Sequence, residues 1–556
     1  MTSGSQVHRG CDSRVWLEEY PAGVPADIDA TPYASLVELL EESFETFRLR
    51  RAFICMGRSI SYGDLDRMSL ALAAYLQSKC LRKGARVALM LPNVPHHPVA
   101  TVAVLRAGYV VVNVNPIYTP RELEHQLRDS GAEAIIVLDS HASVVQQVIA
   151  RTAVRHVIVG SQFEASGGGK VACEPGALPD AVSFDDAIEA GHDLTFAAPK
   201  IAADDVAFLQ YTGGTTGVSK GATLLHRNIL ANVLQNDAWM QPVLGELPHT
   251  EQLFIVCALP LYHIFALTVC FLLGMRVGGV NLLIPNPRDI PGLIQELRKY
   301  QFHSFPAVNT LYNALLNSPG FDQIDFSRLK VSCSAGMATR QAVADAWLNK
   351  TGCALSEAYG LSETSPALTC NRYDTKTFSG TVGLPLPSTH ISIRDDNGCE
   401  VALGEAGEIC ATGPQVMAGY WNKPEETAKV MTSDGYFRTG DIGVMMPNGS
   451  IKIVDRKKDM IIVSGFNVYP NEVEDVIASH PGVLECVVIG VEDARSGEAV
   501  KAFVVTRDPN VTADDIVNFC ATQLTSYKVP KQVEFRTQLP KTNVGKIPRR
   551  QMRDQE

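Results

Sequence analysis

A chain of 556 residues exceeds what one hydrophobic core supports, since cores stop growing near ~250–300 residues, so more than one domain is expected. A hydrophobic content of 46% with 20% charged residues describes an ordinary soluble globular protein. The net charge of −11 argues against nonspecific nucleic-acid binding, which needs a basic surface.

The chain starts Met1-Thr-Ser-Gly-Ser and carries Asp12, Glu18 and Glu19 early. That is not the basic, then apolar, pattern of a secretory signal. The thirteen cysteines are scattered and odd in number, with no CxxC and no zinc spacing, so they read as reduced thiols in a cytoplasmic protein. Leu70–Leu81 is a helix candidate. Arg86–Leu91, Tyr109–Asn113 and His156–Gly160 read as buried parallel strands. Their alternation predicts a layered α/β architecture. Ser161–Pro179 is rich in Gly, Ser, Ala and Pro and reads as a surface linker within a large domain.

Val206–Gln210 is apolar enough for a buried strand, and it runs into Tyr211-Thr-Gly-Gly-Thr-Thr-Gly-Val-Ser-Lys-Gly221. Four glycines, four hydroxyl residues and one lysine share these eleven positions. Glycines let backbone amides approach an anion, and hydroxyls add donors. A strand entering such a loop cradles phosphate. The Walker spacing is absent, because Val218 and Ser219 separate Gly217 from Lys220. Ile264–Met275 is the most apolar stretch. Its twelve residues are too few to span a bilayer, so it reads as a buried helix.

Glu357-Ala-Tyr-Gly-Leu-Ser-Glu-Thr-Ser-Pro366 combines a base-stacking group with phosphate and metal donors. Tyr359 can lie on a flat base, with Gly360 leaving room for it. Ser362 and Thr364 can hydrogen-bond a phosphate, and Glu363 can hold Mg²⁺. Residues 377–450 carry short strands, such as His390–Arg394 and Gly407–Ala411, between Gly, Asp and Asn turns, which suggests a small β-barrel subdomain. Within it, Tyr436-Phe-Arg-Thr-Gly-Asp441 places a carboxylate after a tight turn, where it can accept from ribose hydroxyls. Asp455-Arg-Lys-Lys-Asp459 by itself reads as a solvated charge run. From about Asp459 a compact α+β unit of ~100 residues is expected: helix Pro470–Ser479, strands Glu485–Val491 and Lys501–Val505, helix Ala513–Leu524. Pro540-Lys-Thr-Asn-Val-Gly-Lys-Ile-Pro548 is a loop whose lysines are either surface charge or groups delivered to a site elsewhere.

These motifs, in this order, resemble the ANL superfamily of adenylate-forming enzymes, and within it the bacterial long-chain fatty acyl-CoA synthetases. The resemblance runs over nearly the whole chain, roughly Val15–Asp554. It includes Asn113-Val-Asn-Pro-Ile-Tyr-Thr-Pro-Arg-Glu122, Leu259-Pro-Leu-Tyr-His-Ile-Phe-Ala-Leu267 and the specific run Ile453–Glu472. It implies a large N-terminal domain of layered α/β sheets with a β-barrel subdomain, residues 1–457. A small mobile α+β domain, 458–556, would follow, hinged at Lys458.

The resemblance also implies roles. Tyr211, Thr212, Gly213, Gly214, Thr215, Thr216, Gly217 and Lys220 would hold the ATP β- and γ-phosphates, with Thr215 and Glu363 at Mg²⁺. Tyr359 and Gly360 would face adenine beside Gly336 of the Ser334–Met337 segment. Ser362 and Thr364 would take the α-phosphate; Asp441 and Arg456 would hold the ribose. Lys546 would be the catalytic lysine. His263 would sit between the ATP and acyl pockets, and Gly465 would line the pantetheine tunnel for coenzyme A.

Four positions depart from the family pattern: Ser362 for threonine, Ile462 for a lysine, a glycine-poor Ser332–Met337, and Leu267 where some relatives gate the acyl tunnel with tryptophan. The implied reaction activates a long-chain fatty acid with ATP to an acyl-adenylate, then passes the acyl group to CoA. Alternatives are a medium-chain or aryl acid ligase, an acyl-AMP ligase serving a carrier protein, and an inactive acyl-binding protein. The expected setting is the cytoplasm, with transient contact at the inner face of the cytoplasmic membrane. Homodimer formation stays open.

Overall fold

The computed structural model describes residues 14–161, 178, 180–212, 219–248, 250–493, 495–542 and 546–555. Strand Val206–Thr212 lies inside an eight-stranded sheet. Across the sheet the order is Gly419–Tyr420, Lys220–Leu225, Val206–Thr212, Val110–Asn113, Arg86–Met90, Ala134–Leu138, His156–Gly160, Val182–Ser183. From Val206–Thr212 to Val182–Ser183 all neighbours are parallel. Continuous apolar runs form these strands because both faces are covered, and Val110–Asn113 and Ala134–Leu138 are buried throughout. The sheet reverses at Val206–Thr212, which pairs antiparallel with Lys220–Leu225. Thr212 and Lys220, the residues on either side of the Gly/Thr segment, face each other at the end of this pair.

A second layer joins two four-stranded sheets. One holds Phe254–Cys257, Val280–Leu283, Arg51–Cys55 and Arg58–Ser61; the other holds Ser332–Ala335, Leu355–Gly360, Ala367–Cys370 and Leu384–Pro385. Bridges from Ile255 to Ser304, Ser304 to Val331 and Ala307 to Ser334 stitch them together. The expected helix at Ile264–Met275 is present, and every one of its residues is buried. Its middle, Leu267–Leu272, is wound as a π-helix, a form that often marks functional positions. The Thr268 hydroxyl donates to the Ser365 carbonyl at 2.9 Å, tying this helix to the turn that carries Glu363.

The residues expected to form a β subdomain build a four-stranded antiparallel sheet, His390–Arg394, Ala406–Thr412, Phe437–Met445 and Ile451–Arg456 in that order. Beyond it, Ile461–Val463, Phe466–Val468, Val483–Asp493, Gly497–Thr506 and Gln532–Phe535 form a separate five-stranded sheet covered by Pro470–Ser479 and Ala513–Ala521. Apolar clusters divide between Ile453 and Ile461: among the described residues none spans that gap. The helix expected at Leu70–Leu81 starts earlier, at Tyr62, and ends at Ser78. Its start is fixed by a capping box, in which Ser61 and Asp64 satisfy each other's backbone amides. Sequence periodicity missed it because the first turn, Tyr62-Gly-Asp, breaks the apolar pattern. Among the described residues no helix is long and apolar enough to cross a membrane.

Trp347 anchors the strand that carries the Ser332–Met337 segment. It is fully buried, lies 4.6 Å from the Tyr312 ring, and its indole N–H donates to Ser332 Oγ at 2.9 Å. Trp347→Ala is expected to cost about 3–5 kcal/mol, as large-to-small aromatic changes in cores do. Thermal melting checks this; an unchanged midpoint would show that the cluster does not support the strand.

Candidate active site

Strand Leu355–Gly360 delivers Tyr359 to a buried position. Its phenol donates to Asp441 Oδ2 at 2.6 Å. Asp441 stands on Phe437–Met445 opposite Arg456 on Ile451–Arg456, and Arg456 Nε lies 3.3 Å from Asp441 Oδ1. The structure thus unites three residues that the sequence separates. A carboxylate accepts several donors at each oxygen, so Asp441 retains capacity for ribose hydroxyls. Gly360 is required for a reason other than the one expected. A Cβ there would stand 1.9 Å from the Pro366 carbonyl oxygen, so the space is occupied by the returning chain rather than reserved for a base.

Glu363 lies in the short turn Ser362–Thr364 and is 8% exposed. Burial raises its carboxyl above the ordinary range, while the Tyr420 hydroxyl and nearby Arg456 hold the rise back. Tyr420 donates to Oε1 at 2.8 Å. Sequence reasoning missed Tyr420, because nothing in Gly419-Tyr-Trp-Asn reveals that this segment pairs with Lys220–Leu225. Thr364 is corrected. Its hydroxyl accepts the Leu361 N–H at 2.9 Å and also bonds the Pro366 carbonyl, and the residue is wholly buried. It closes the turn, whereas Ser362 beside it is half-buried and makes no side-chain hydrogen bond among the described residues.

The phosphate loop is represented by its ends. Gly213, Gly214, Thr215, Thr216 and Gly217 lie outside the described residues, as does most of the Ser161–Pro179 segment. Tyr211 faces the sheet interior and donates to Asp129 Oδ2 at 2.7 Å, which makes it a support for the loop rather than a ligand contact. Thr212 is half-buried at the strand end. Lys220 pairs with Glu426 and sits 5.2 Å above the Tyr420 ring. The structure therefore places Lys220 in an ion pair with Glu426, not free toward a phosphate.

Lys546 arrives from the C-terminal loop. Reciprocal bonds with Thr542 fix it: the Lys546 N–H donates to Thr542 Oγ1 at 3.0 Å, and the Thr542 N–H to the Lys546 carbonyl at 2.7 Å. The side chain reaches the cleft, where a Cβ on Gly336 would lie 3.7 Å from Lys546 Cε. Gly336 itself has φ +82°, a conformation that favours glycine. Burial lowers the Lys546 pKa to about 8, Arg456 adds to this, and Asp441 and Glu363 oppose it. His263 caps the helix at Ile264, its Nδ1 accepting the Phe265 N–H at 3.3 Å. Burial, with the Lys546 charge nearby, pushes its pKa down to about 4, so the imidazole is neutral at pH 7. Lys546, Gly336, His263, Glu363, Asp441, Arg456 and Tyr359 therefore share one cleft.

Lys458 occupies the turn after Ile451–Arg456, and burial beside Arg456 lowers its pKa. Gly465 is elsewhere. It forms, with Ser464, the two-residue turn of the Ile461–Val463 and Phe466–Val468 hairpin, both residues at positive φ. It is exposed, and nothing lies within 4 Å of where its Cβ would be.

A cleft of this kind, in which a lysine from the C-terminal loop meets Glu363, Asp441, Arg456 and Tyr359, suits a nucleotide-activating enzyme. The AMP-binding enzyme family matches residues 40–421, and the AMP-binding enzyme C-terminal domain matches 472–546. The chain belongs to this family. A long-chain-fatty-acid–CoA ligase of Salmonella typhimurium is 52% identical over 555 residues, covering 98% of each chain. The ATP-bound structure of MatB from Rhodopseudomonas palustris, 30% identical, superposes with a TM-score of 0.81 over 93% of this chain and 98% of its own. Apo MatB from the same organism gives 0.73 over 94% and 98%.

A lysine with a pKa near 8 attracts phosphate only while protonated. ATP binding by the intact protein, followed by calorimetry, is expected to weaken as the pH rises through about 8. In Lys546→Arg, whose guanidinium stays charged, that weakening should disappear. A flat profile in the parent protein would remove Lys546 from the nucleotide site.

Proposed function

We propose that this protein is an ATP-dependent long-chain fatty acid–CoA ligase, forming acyl-CoA through an acyl-adenylate with release of pyrophosphate and AMP. The observation that carries the reading is Lys546 of the C-terminal loop seated among Glu363, Asp441, Arg456 and His263, in a chain alike over nearly its full length to a long-chain-fatty-acid–CoA ligase.

In the first step a fatty-acid carboxylate oxygen attacks the ATP α-phosphorus, and pyrophosphate leaves. The carboxylate is already ionised at neutral pH, so no general base is needed. The barrier is repulsion between anions, and positioned cations and donors answer it. Lys546 supplies an ammonium at the α-phosphate side, Ser362 a hydroxyl, and Asp441 with Arg456 fixes the ribose. Tyr359 and Gly336 border the base. Neutral His263 separates the nucleotide from the acyl pocket without adding charge.

Glu363 suits Mg²⁺. It is a hard carboxylate donor, Tyr420 engages only one of its oxygens, and Mg²⁺ characteristically uses one or two carboxylates plus substrate phosphates. Glu363 would hold the ion there, and its charge would offset that of the phosphates.

In the second step the CoA thiol attacks the acyl carbonyl, and AMP departs. Gly465 and Lys546 are eighty-one residues apart, and here one is exposed while the other occupies the cleft. We assign residues 1–457 to a large domain and 458–556 to a small one that turns about Lys458. Two features support this. Ile462 and Phe466, near Gly465, are 48% and 56% exposed, and the Phe466 ring stacks on Tyr527 of the same C-terminal unit, so apolar surface stays open beside Gly465. The superposition is also better on ATP-bound than on apo MatB, as expected if this arrangement is the nucleotide-engaged one. The poor water solubility of a long-chain acid makes a membrane surface its natural source, which fits brief peripheral contact.

Lys546→Ala is expected to slow acyl-adenylate formation by about 10²–10³-fold, the range for removing one transition-state donor. Conversion of supplied acyl-adenylate to acyl-CoA should proceed normally. Pyrophosphate release across acids of increasing length, with and without CoA, checks the substrate class. Preference for short or aromatic acids would overturn the long-chain reading, and equal loss in both half-reactions would overturn the role of Lys546.

A further inference from the structure

Arg340 immediately precedes helix Gln341–Thr351 and lies far in sequence from the turn at Lys458. Its backbone is pinned to the nucleotide side of the cleft. The Arg340 N–H donates to Asn309 Oδ1 at 3.1 Å. The neighbouring Thr339 N–H donates to Glu357 Oε1 at 3.0 Å, and the Thr339 hydroxyl to Ser334 Oγ at 2.6 Å. Ser334 belongs to the strand leading to Gly336, and Glu357 to the strand carrying Tyr359.

The guanidinium points the other way. Nη2 donates to the Cys486 carbonyl at 3.2 Å, and Nη1 lies 3.5 Å from Cys486 Sγ. Cys486 is on strand Val483–Asp493, in the C-terminal sheet, and is 1% exposed. Glu474 and Asp475, on helix Pro470–Ser479, supply the facing negative charge. Burial works against the guanidinium's charge, and these groups outweigh it. One end of Arg340 is thus fixed to the large domain and the other to the small one. A turn of the small domain about Lys458 cannot preserve the contact.

We propose that Arg340 is a positioning residue for the first half-reaction, a latch that holds the small domain where Lys546 occupies the cleft and that must open before CoA is used. The inference rests on the domain assignment above. Arg340 touches no reacting atom. It acts by favouring one of two domain arrangements, and its backbone links that choice to the strands bordering the base.

The test uses the full-length protein with Arg340→Gln, Arg340→Lys and, as reference, Lys546→Ala. Pyrophosphate exchange reads adenylate formation, and conversion of supplied acyl-adenylate with CoA reads the second step. Arg340→Gln is expected to slow exchange by about tenfold to a hundredfold, the scale of one charged hydrogen bond. The second step should be unchanged or faster. Arg340→Lys, which keeps the charge on a single donor nitrogen, should recover part of the loss. If Arg340→Gln melts lower than the parent, the same split is read on Arg340→Lys, and its absence there overturns the latch. Unchanged exchange, or equal slowing of both steps at parental melting temperature, also overturns it. If Lys546→Ala itself slows both steps equally, the alternation reading falls and takes the latch with it.

Discussion

Arg549 holds the site together from behind. Its guanidinium is 13% exposed and meets three carboxylates: Asp455 Oδ1 at 3.0 Å, Glu474 Oε1 at 2.9 Å and Asp459 Oδ2 at 3.7 Å. It also donates to Asn471 Oδ1 at 2.5 Å. Asp455 is wholly buried, and its second oxygen accepts the Asn471 N–H at 2.7 Å. A buried carboxylate is costly unless paired, and removing its partner typically costs ~3–5 kcal/mol. That constraint fixes the end of strand Ile451–Arg456, the start of helix Pro470–Ser479 and the segment three residues beyond Lys546. Arg456, Lys458 and Lys546 inherit their places from it.

From this hub the chemistry follows in steps. The β strands set Asp441 opposite Arg456, and Tyr359 locks that pair from the neighbouring sheet. The turn after Tyr359 presents Glu363, held by Tyr420. The C-terminal loop completes the cleft with one ammonium. Each of these groups is supplied by a different element, so the site forms only when the two parts of the chain meet. A lysine carried on the smaller part could leave the cleft if that part turned, which the proposed two-step acyl transfer needs if both steps use one acyl carbon.

Much of the fold was legible because strand burial and hairpin chemistry are local. Parallel strands showed as apolar runs, and the Gly/Thr loop announced an anion site by its own composition. Lys546 was different. Its Pro/Gly/Asn surroundings say only that it lies on a loop, and its role came from resemblance across the chain. Tyr420, Arg340 and Arg549 escaped notice because their partners are 57, 146 and 94 residues away. Arg549 follows Pro548 beside Arg550 and looks like surface charge; only tertiary structure buries it. Thr364 and Gly360 were read for their chemistry toward a ligand, whereas the close return of Pro366 determines both.

The central claim is that Lys546 occupies the cleft for one half-reaction and leaves it for the other. Amine labelling of Lys546 by acetic anhydride, quantified by peptide mass spectrometry at fixed pH, tests this directly. The protein would be held with a non-reactive acyl-adenylate analogue, with and without CoA. The account predicts slow labelling with the analogue alone and several-fold faster labelling once CoA is added. Equal or slower labelling with CoA would contradict it.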